Sequence, residues 1–458
     1  MAQASQASLV RRRRVSTWLM WVAALGFSSM WFALDWNRWW AYDTTDDFGL
    51  FFQSMNDPSG ALRNSVEGSH FANHFSPIYD LLAPFVQLTH SVIAPIAFQA
   101  CAGAMTAVGV YYLSKTLLAP EQALAVGLLA LIYPPLAWLM YGDPYETCFA
   151  PAVTVWLFLS VRKREWVAAG ILAALALLLK EDQSIFLVWA ATLFCFWASF
   201  RGDYGLRRFA VVVLGFSGLV ISTYLLVLRP MLSGNHEWTA FMLATRQDSY
   251  ESLGGTLSPR LLYLVQVFLP LAFLPILEPI VLLFAVPAFG EVLAAPRPLV
   301  WTMGSHYEGV WISYVLIAFA FAMARLARQS GRSFEVAVAA AALLSVFTYA
   351  FLRPAAVSKS IAFRTVADAN VDAILQTNFP KGETVGVPDV LYGHLWQNPN
   401  VQLGIDRAPC FALILKDAQE KGFQRWMQRE MLSGVVGRYE KVWTQGELEL
   451  YRRNPCVE

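Results

Sequence analysis

Long apolar runs cut by short charged turns fill the first three quarters of this chain, and that alternation restricts what it can fold into. Runs near 15–34, 95–117, 121–141, 144–161, 165–180, 183–200, 209–229, 260–275, 277–294, 308–327 and 333–352 are each long enough to cross, or nearly cross, about 30 Å of hydrocarbon. In lipid every backbone N–H and C=O must be paired within its own segment, so such runs are expected as helices. Composition points the same way. Hydrophobic residues make up 57% of the chain and charged residues 15%, against about 25% charged in soluble domains. The expectation is an α-helical polytopic membrane protein of about eleven spans, in contact with membrane lipid and with no nucleic-acid partner.

Loop charge sets the expected orientation. The arginines at 11–14 precede the first run and place the N-terminus in the cytoplasm, and no small-residue cleavage site follows where a signal peptide would need one. Alternation then puts Lys115, Arg162, Lys163, Arg164, Arg201, Arg207, Arg208, Arg325, Arg328 and Arg332 inside as well. The outer loops hold half as many basic residues, together with Asp43, Asp46, Asp47, Asp57, Glu67, Asp143, Glu146, Glu181, Asp182 and all six histidines. Segment 77–92 is apolar but carries Asp80, Pro84 and His90, and a span there would invert the later loops, so it is expected as an interfacial helix. The organisation expected is a basic N-terminus at 1–14, a transmembrane domain at 15–352 with a long outer loop at 35–94, and an outer soluble domain at 353–458. The protein would be a multi-pass plasma-membrane protein with its C-terminal domain outside.

The last hundred residues read as a small α/β domain, large enough for its own core. Helical periodicity runs over 364–377 and 417–432; 383–388 and 410–415 read as strands, and 439–444 with 447–451 as a closing hairpin. Cys410 and Cys456 lie here, where an oxidising compartment permits a disulfide. Cys101, Cys148 and Cys195 lie in apolar runs and are read as packing residues. No CxxC or HExxH spacing calls for zinc.

Candidate chemistry sits in five segments that alternation places on one face: Asp46-Asp47-Phe-Gly-Leu-Phe-Phe-Gln53, His70-Phe-Ala-Asn73-His74-Phe-Ser-Pro77, Asp143-Pro-Tyr-Glu146, Lys180-Glu181-Asp182 and His306-Tyr307-Glu308. Ionisable groups where a helix meets the membrane boundary are costly unless paired or used. Each segment also has a plain structural reading. An acid at a helix start is a cap, and Lys180 beside Glu181 and Asp182 is an ion pair anchoring a helix end. Oxygen-rich sets such as Asp46, Asp47, Asp143, Glu146, Glu181 and Asp182 suit magnesium or manganese, and no spacing decides whether a metal is used. Trp36, Trp39 and Trp40 form either an interfacial belt or a surface for stacking on sugars.

The succession Asp47-Phe-Gly-Leu-Phe-Phe-Gln53, His74-Phe-Ser-Pro77, Asp143-Pro-Tyr-Glu146 with Phe149-Ala-Pro151, Lys180-Glu-Asp182 and His306-Tyr307 resembles the bacterial and archaeal membrane-protein family known as domain of unknown function number twenty seventy-nine. The resemblance covers roughly 40–450. Phe52 stands where the family pattern has a second aspartate, and Asp143-Pro144-Tyr145-Glu146 replaces a compact His-Pro-Glu. The layout is similar to that of the GT-C glycosyltransferases: a first span, a long outer loop opening on acids, many further spans and an outer soluble domain.

That similarity implies an inverting transfer of a hexosyl or pentosyl unit from a polyprenyl-phosphate donor to an acceptor at the outer membrane face. Asp47, or Asp46 beside it, would be the general base. His74, Lys180, Glu146, Asp143, Glu181, Asp182, His306 and Tyr307 would bind substrate, and Arg63, Arg246 and Arg260 are further cations for the leaving phosphate. Two other classes remain open, a transporter or flippase for a lipid-linked substrate and a non-catalytic partner in envelope assembly.

Overall fold

A computed structural model describes residues 2–232, 256–295, 298–352, 361–380, 382–405, 409–415, 431, 434–435 and 437–456. The chain divides into two compact units. One comprises Met1–Phe32, His74–Ile78 and Ala97–Ser358, the other Ala33–Asn73, Tyr79–Ile96 and Lys359–Glu458.

Among the described residues six helices are long and apolar enough to cross a membrane: Arg11–Trp40, Ile93–Ser114, Glu181–Arg201, Tyr204–Leu232, Ile312–Gln329 and Gly331–Phe351. Six of the expected runs are therefore continuous helices. The other five are not, and proline explains most of the breaks. Pro134 and Pro135 divide the run at 121–141 into Pro120–Leu131 and Pro134–Leu139, because proline has no N–H to continue the ladder and clashes with the preceding turn. Run 144–161 opens on a single 3-10 turn, Glu146–Phe149, before the helix Ala150–Lys163. Run 165–180 gives only Trp166–Leu177. The runs at 260–275 and 277–294 are cut at Pro270, Pro275, Pro279 and Pro287 into short helices and 3-10 turns. Hydropathy measures how apolar a stretch is, not whether its backbone is continuous, so among the described residues six of the eleven expected runs are single helices of spanning length and the rest are shorter apolar helices.

Position in the first unit follows from which faces are apolar all round. Ile312–Gln329 lies at its centre, with Trp311, Val315, Leu316, Phe319 and Met323 fully or almost fully buried. Tyr204–Leu232 instead exposes Val212, Phe216, Leu219, Leu226 and Met231, the surface that lipid covers in a multi-pass protein. Polar atoms in the core find partners: Trp311 Nε1 donates to Tyr263 Oη at 2.7 Å, and Tyr133 Oη donates to the Val267 carbonyl at 2.8 Å.

The second unit joins the end of the first helix, the helix Asp46–Asn56 and the helix Ile78–Thr89 to a mixed five-stranded sheet. Strand order is Val401–Leu403, Val385–Val387, Phe411–Leu415, Leu448–Arg453, Tyr439–Gln445, the first three parallel and the last two antiparallel. The interior strand Val385–Val387, between Val401–Leu403 and Phe411–Leu415, is buried throughout, as a strand covered on both faces requires. Cys410 and Cys456 are disulfide-bonded, with Cα atoms 5.2 Å apart, and Cys101, Cys148 and Cys195 are free. The helix Val366–Asn378, two strands and the hairpin lie where the sequence places them. The helix expected at 417–432 falls outside the described residues. Strand Val401–Leu403 and the short helix Asp389–Tyr392 were not anticipated, being too brief for any period to register. In Ile78–Thr89, Leu81, Phe85 and Leu88 are exposed on one face, the stripe an interfacial helix presents.

Candidate functional site

In the first unit an acid–base cluster forms where apolar helices begin and end. The backbone at Lys180 is extended, and Glu181 and Asp182 occupy the first turn of Glu181–Arg201, where unpaired N–H groups favour carboxylates. Trp166–Leu177 ends just before it, so Lys180 is held among protein groups and is only 7% exposed. Its Nζ lies 3.5 Å from Glu146 Oε1 and 3.9 Å from Asp182 Oδ2, and 5.8 Å from the centre of the Tyr307 ring. Gln183 Nε2 donates to Asp182 Oδ1 at 3.1 Å.

Glu181 serves a different partner. One oxygen meets His74 Nδ1 at 2.8 Å and the other accepts the Phe75 N–H at 2.8 Å, so one carboxylate pins the His74-Phe-Ser-Pro77 segment to the helix start. The Ile78 N–H, donated to the Leu178 carbonyl at 2.8 Å, closes the same junction. Unlike Lys180, His74 keeps 39% of its side chain exposed.

His306 stacks on Tyr145 with ring centres 3.8 Å apart and packs against Tyr307 at 4.0 Å. Thr147 Oγ1 donates to its carbonyl at 3.0 Å. Burial, helped by the Lys180 ammonium and by His74, holds the His306 imidazole well below the ordinary histidine range. His306 is therefore neutral at physiological pH, its ring engaged in stacking. Asp143 is buried, and its carbonyl accepts the Tyr145 N–H at 2.7 Å, shaping the turn that delivers Glu146.

His74, Glu146, Lys180, Glu181, Asp182, His306 and Tyr307 thus belong to one neighbourhood. Sequence reasoning missed Glu291, which lies within electrostatic reach of Lys180, Glu181, Asp182 and His74. Its signal was available: a lone carboxylate inside an apolar run is costly without a partner. Tyr145, the stacking partner of His306, was quoted only as a spacer. The cluster carries more acid than base, and Lys180 is committed to its carboxylates. Arg260 is committed too, donating to Thr256 Oγ1 at 3.1 Å and to the carbonyls of Leu293 and Ala295. Arg246 lies outside the described residues.

Carboxylates in this number are the donor type that magnesium or manganese takes. Among the described residues the one group of three ligand atoms lying within 4.8 Å of one another is Glu383, Cys410 and Cys456, and both of its sulfurs are in the disulfide. Around Glu146 and Asp182 the Lys180 ammonium takes the place an ion would fill. Glu146 and Asp182, answered by that ammonium, do not fit magnesium or manganese.

The second unit holds the two aspartates. Thr45 enters the helix Asp46–Asn56 from extended backbone, and Asp46 and Asp47 fill its first turn, half-buried. Asp35, earlier in the chain, accepts from Arg38 Nε at 2.8 Å, and Arg38 Nη1 donates to the Asp43 carbonyl at 3.0 Å, so this pair braces the turn before the helix. Further along the motif the residues are structural. Gly49 lies so close to Tyr392 that a Cβ there would stand 2.8 Å from its carbonyl carbon. Gln53 Oε1 accepts from Tyr392 Oη at 2.6 Å and from the Ser65 N–H at 2.7 Å. Asp46 and Asp47 are thus presented on a helix that the C-terminal sheet domain clamps from behind.

A family model for predicted membrane proteins, DUF2079, matches residues 40–373. The chain belongs to this family. Among solved structures this DUF2079 protein is similar to ArnT from Cupriavidus metallidurans in the apo state, with 12% identity, a TM-score of 0.52, and coverage of 94% of this chain and 98% of that one. At that identity the likeness shows the fold alone. No curated protein matches the chain.

Proposed function

We propose that the chain is a membrane glycosyltransferase that moves a sugar from a polyprenyl-phosphate donor to an acceptor at the outer face of the plasma membrane, the N-terminus being cytoplasmic. The observation that carries this reading is the pairing of a GT-C-like fold along nearly the whole chain with ionisable residues at helix starts. Glycosyl transfer needs a carboxylate at the acceptor hydroxyl and a hydrogen-bond donor at the leaving phosphate, where negative charge builds in an oxocarbenium-like transition state.

Asp47 is assigned the first task. It takes the acceptor proton as the acceptor oxygen attacks the anomeric carbon and the carbon–oxygen bond to the phosphate breaks. His74 is assigned the second. It is the most exposed basic group of the cluster, and with Nδ1 fixed by Glu181 its ring is oriented to donate a hydrogen bond to a phosphate oxygen. Lys180, Glu146 and Asp182 form the support beneath it. His306, neutral and sandwiched with Tyr145 and Tyr307, offers a flat aromatic wall of the kind that packs against a sugar or prenyl group. Released polyprenyl phosphate, measured after purified protein in liposomes meets a panel of lipid-linked sugars, tests the reading. Binding of a donor without turnover, and movement of that donor across the bilayer, would replace it with transport.

A further inference from the structure

Basic residues gather at the other end of the Glu181–Arg201 helix, about 30 Å from Glu181 at the rise of an α-helix. Helices Ala150–Lys163 and Glu181–Arg201 both stop on left-handed caps, Arg164 and Gly202, with φ of 61° and 65°, and the chain turns back into Trp166–Leu177 and Tyr204–Thr223. Arg164 Nη2 donates to Asp203 Oδ2 at 2.7 Å while Asp203 Oδ1 caps the next helix by accepting the Leu206 N–H at 3.1 Å. That bond ties the two hairpins at one level. Arg201 lies over the Trp197 ring at 4.9 Å and Arg207 over the Tyr204 ring at 5.2 Å.

A cavity of about 600 Å³ opens between these groups, lined by Arg164, Trp197, Arg201, Asp203 and Tyr204. A second, of about 550 Å³, starts beside Gly205 and Arg208 and runs between the two returning helices past Gly170 to Leu177 and Phe216. Gly205 lines both. Beyond Arg208 the second cavity is bordered by apolar side chains, with Ser217 as the exception, and the Trp166–Leu177 helix gives it a length of about 18 Å. A cationic, ring-flanked head continuous with an apolar groove has the polarity of an amphiphile.

We propose that this is a binding site for an anionic glycerophospholipid, its phosphate among Arg164, Arg201 and Arg208 and one acyl chain in the groove. Three physical points favour that occupant. Guanidinium groups match phosphate oxygens in a fork. Tryptophan and tyrosine at helix ends sit at headgroup level. The one acid in the head cavity, Asp203, is already answered by Arg164, so Arg201 and Arg208 keep their charge for a ligand. The site is separate from the acid–base cluster and does not depend on the glycosyltransferase reading.

The test uses the full chain in detergent, offered phosphatidylglycerol and phosphatidylcholine with the same acyl chains, and reads retained lipid by native mass spectrometry. Two arginine contacts predict a preference of about tenfold or more for the anionic lipid. Arg201→Gln with Arg208→Gln abolishes that preference, and Arg201→Lys with Arg208→Lys, which keeps the charge but not the fork, lowers it without abolishing it. Gly170→Leu fills the groove, since a Cβ at Gly170 meets nothing within 4 Å, and lowers retention of both lipids at an unchanged unfolding temperature. Equal retention of the two lipids by the wild type, or a preference untouched by the double glutamine variant, overturns the proposal.

Discussion

Lys180 Nζ stands between Glu146 Oε1 at 3.5 Å and Asp182 Oδ2 at 3.9 Å, with all three side chains nearly sealed from solvent. Buried ion pairs gain little over apolar packing while intact, yet removing one partner strands the other's charge. Lys180→Met is therefore expected to cost about 3 kcal/mol or more, read as a fall in the thermal unfolding temperature of the purified protein. Adding Glu146→Gln to Lys180→Met should recover part of the loss. A Lys180→Met protein as stable as wild type would show that the carboxylates do not need this cation.

Gly49 faces Tyr392 with no room for a methyl group. Overpacking of this kind costs about 1–3 kcal/mol, so Gly49→Ala should destabilise the second unit and loosen the helix carrying Asp46 and Asp47. Limited proteolysis after residue 360 checks it: faster cleavage is expected, and an unchanged pattern would mean that the helix moves aside freely. Gln53→Leu, which strands the Ser65 N–H and leaves Tyr392 Oη with Ser65 Oγ as its partner, should act in the same direction by about 1–3 kcal/mol.

His394 gives the second unit an acid-sensitive point. It is stacked between Trp39 at 4.6 Å and Tyr42 at 3.7 Å, its Nε2 is 2.8 Å from the Trp39 carbonyl, and burial lowers its pKa to about 3. The unfolded chain takes up this proton near pH 6.5 while the folded protein refuses it, so stability is intact above that value. It falls as pH drops from about 6.5 toward about 3, with a slope approaching 1.4 kcal/mol per pH unit. Unfolding temperatures of wild type and His394→Gln across that range should diverge, the variant having the shallower acid limb. Parallel curves would exclude His394 as the source.

What the sequence disclosed depended on the kind of signal. The membrane class and six continuous helices followed from apolar length alone, since the backbone in lipid has few other solutions. The interrupted runs did not follow, and at 121–141, 260–275 and 277–294 the reason is that a proline inside an apolar run leaves its hydropathy intact while ending its helix. His74, Glu146, Lys180, Glu181, Asp182, His306 and Tyr307 were legible as ionisable or aromatic residues at helix boundaries. How they divide the work was not: that Glu181 takes His74 while Asp182 and Glu146 take Lys180 depends on which way successive residues point from one helix start. Gly49 and Gln53 looked like parts of a chemical motif and prove to be packing and hydrogen-bonding contacts to Tyr392, some 340 residues away in sequence.

Turnover by the purified protein in liposomes tests the central claim most directly, comparing wild type with Asp47→Asn across a panel of lipid-linked sugars and measuring released polyprenyl phosphate. Loss of a general base costs about a hundredfold or more, so the wild type should release polyprenyl phosphate from at least one donor, and the asparagine variant should lose at least that factor while binding the donor equally well. Equal release by the two proteins, or no release by the wild type from any donor it binds, would contradict it.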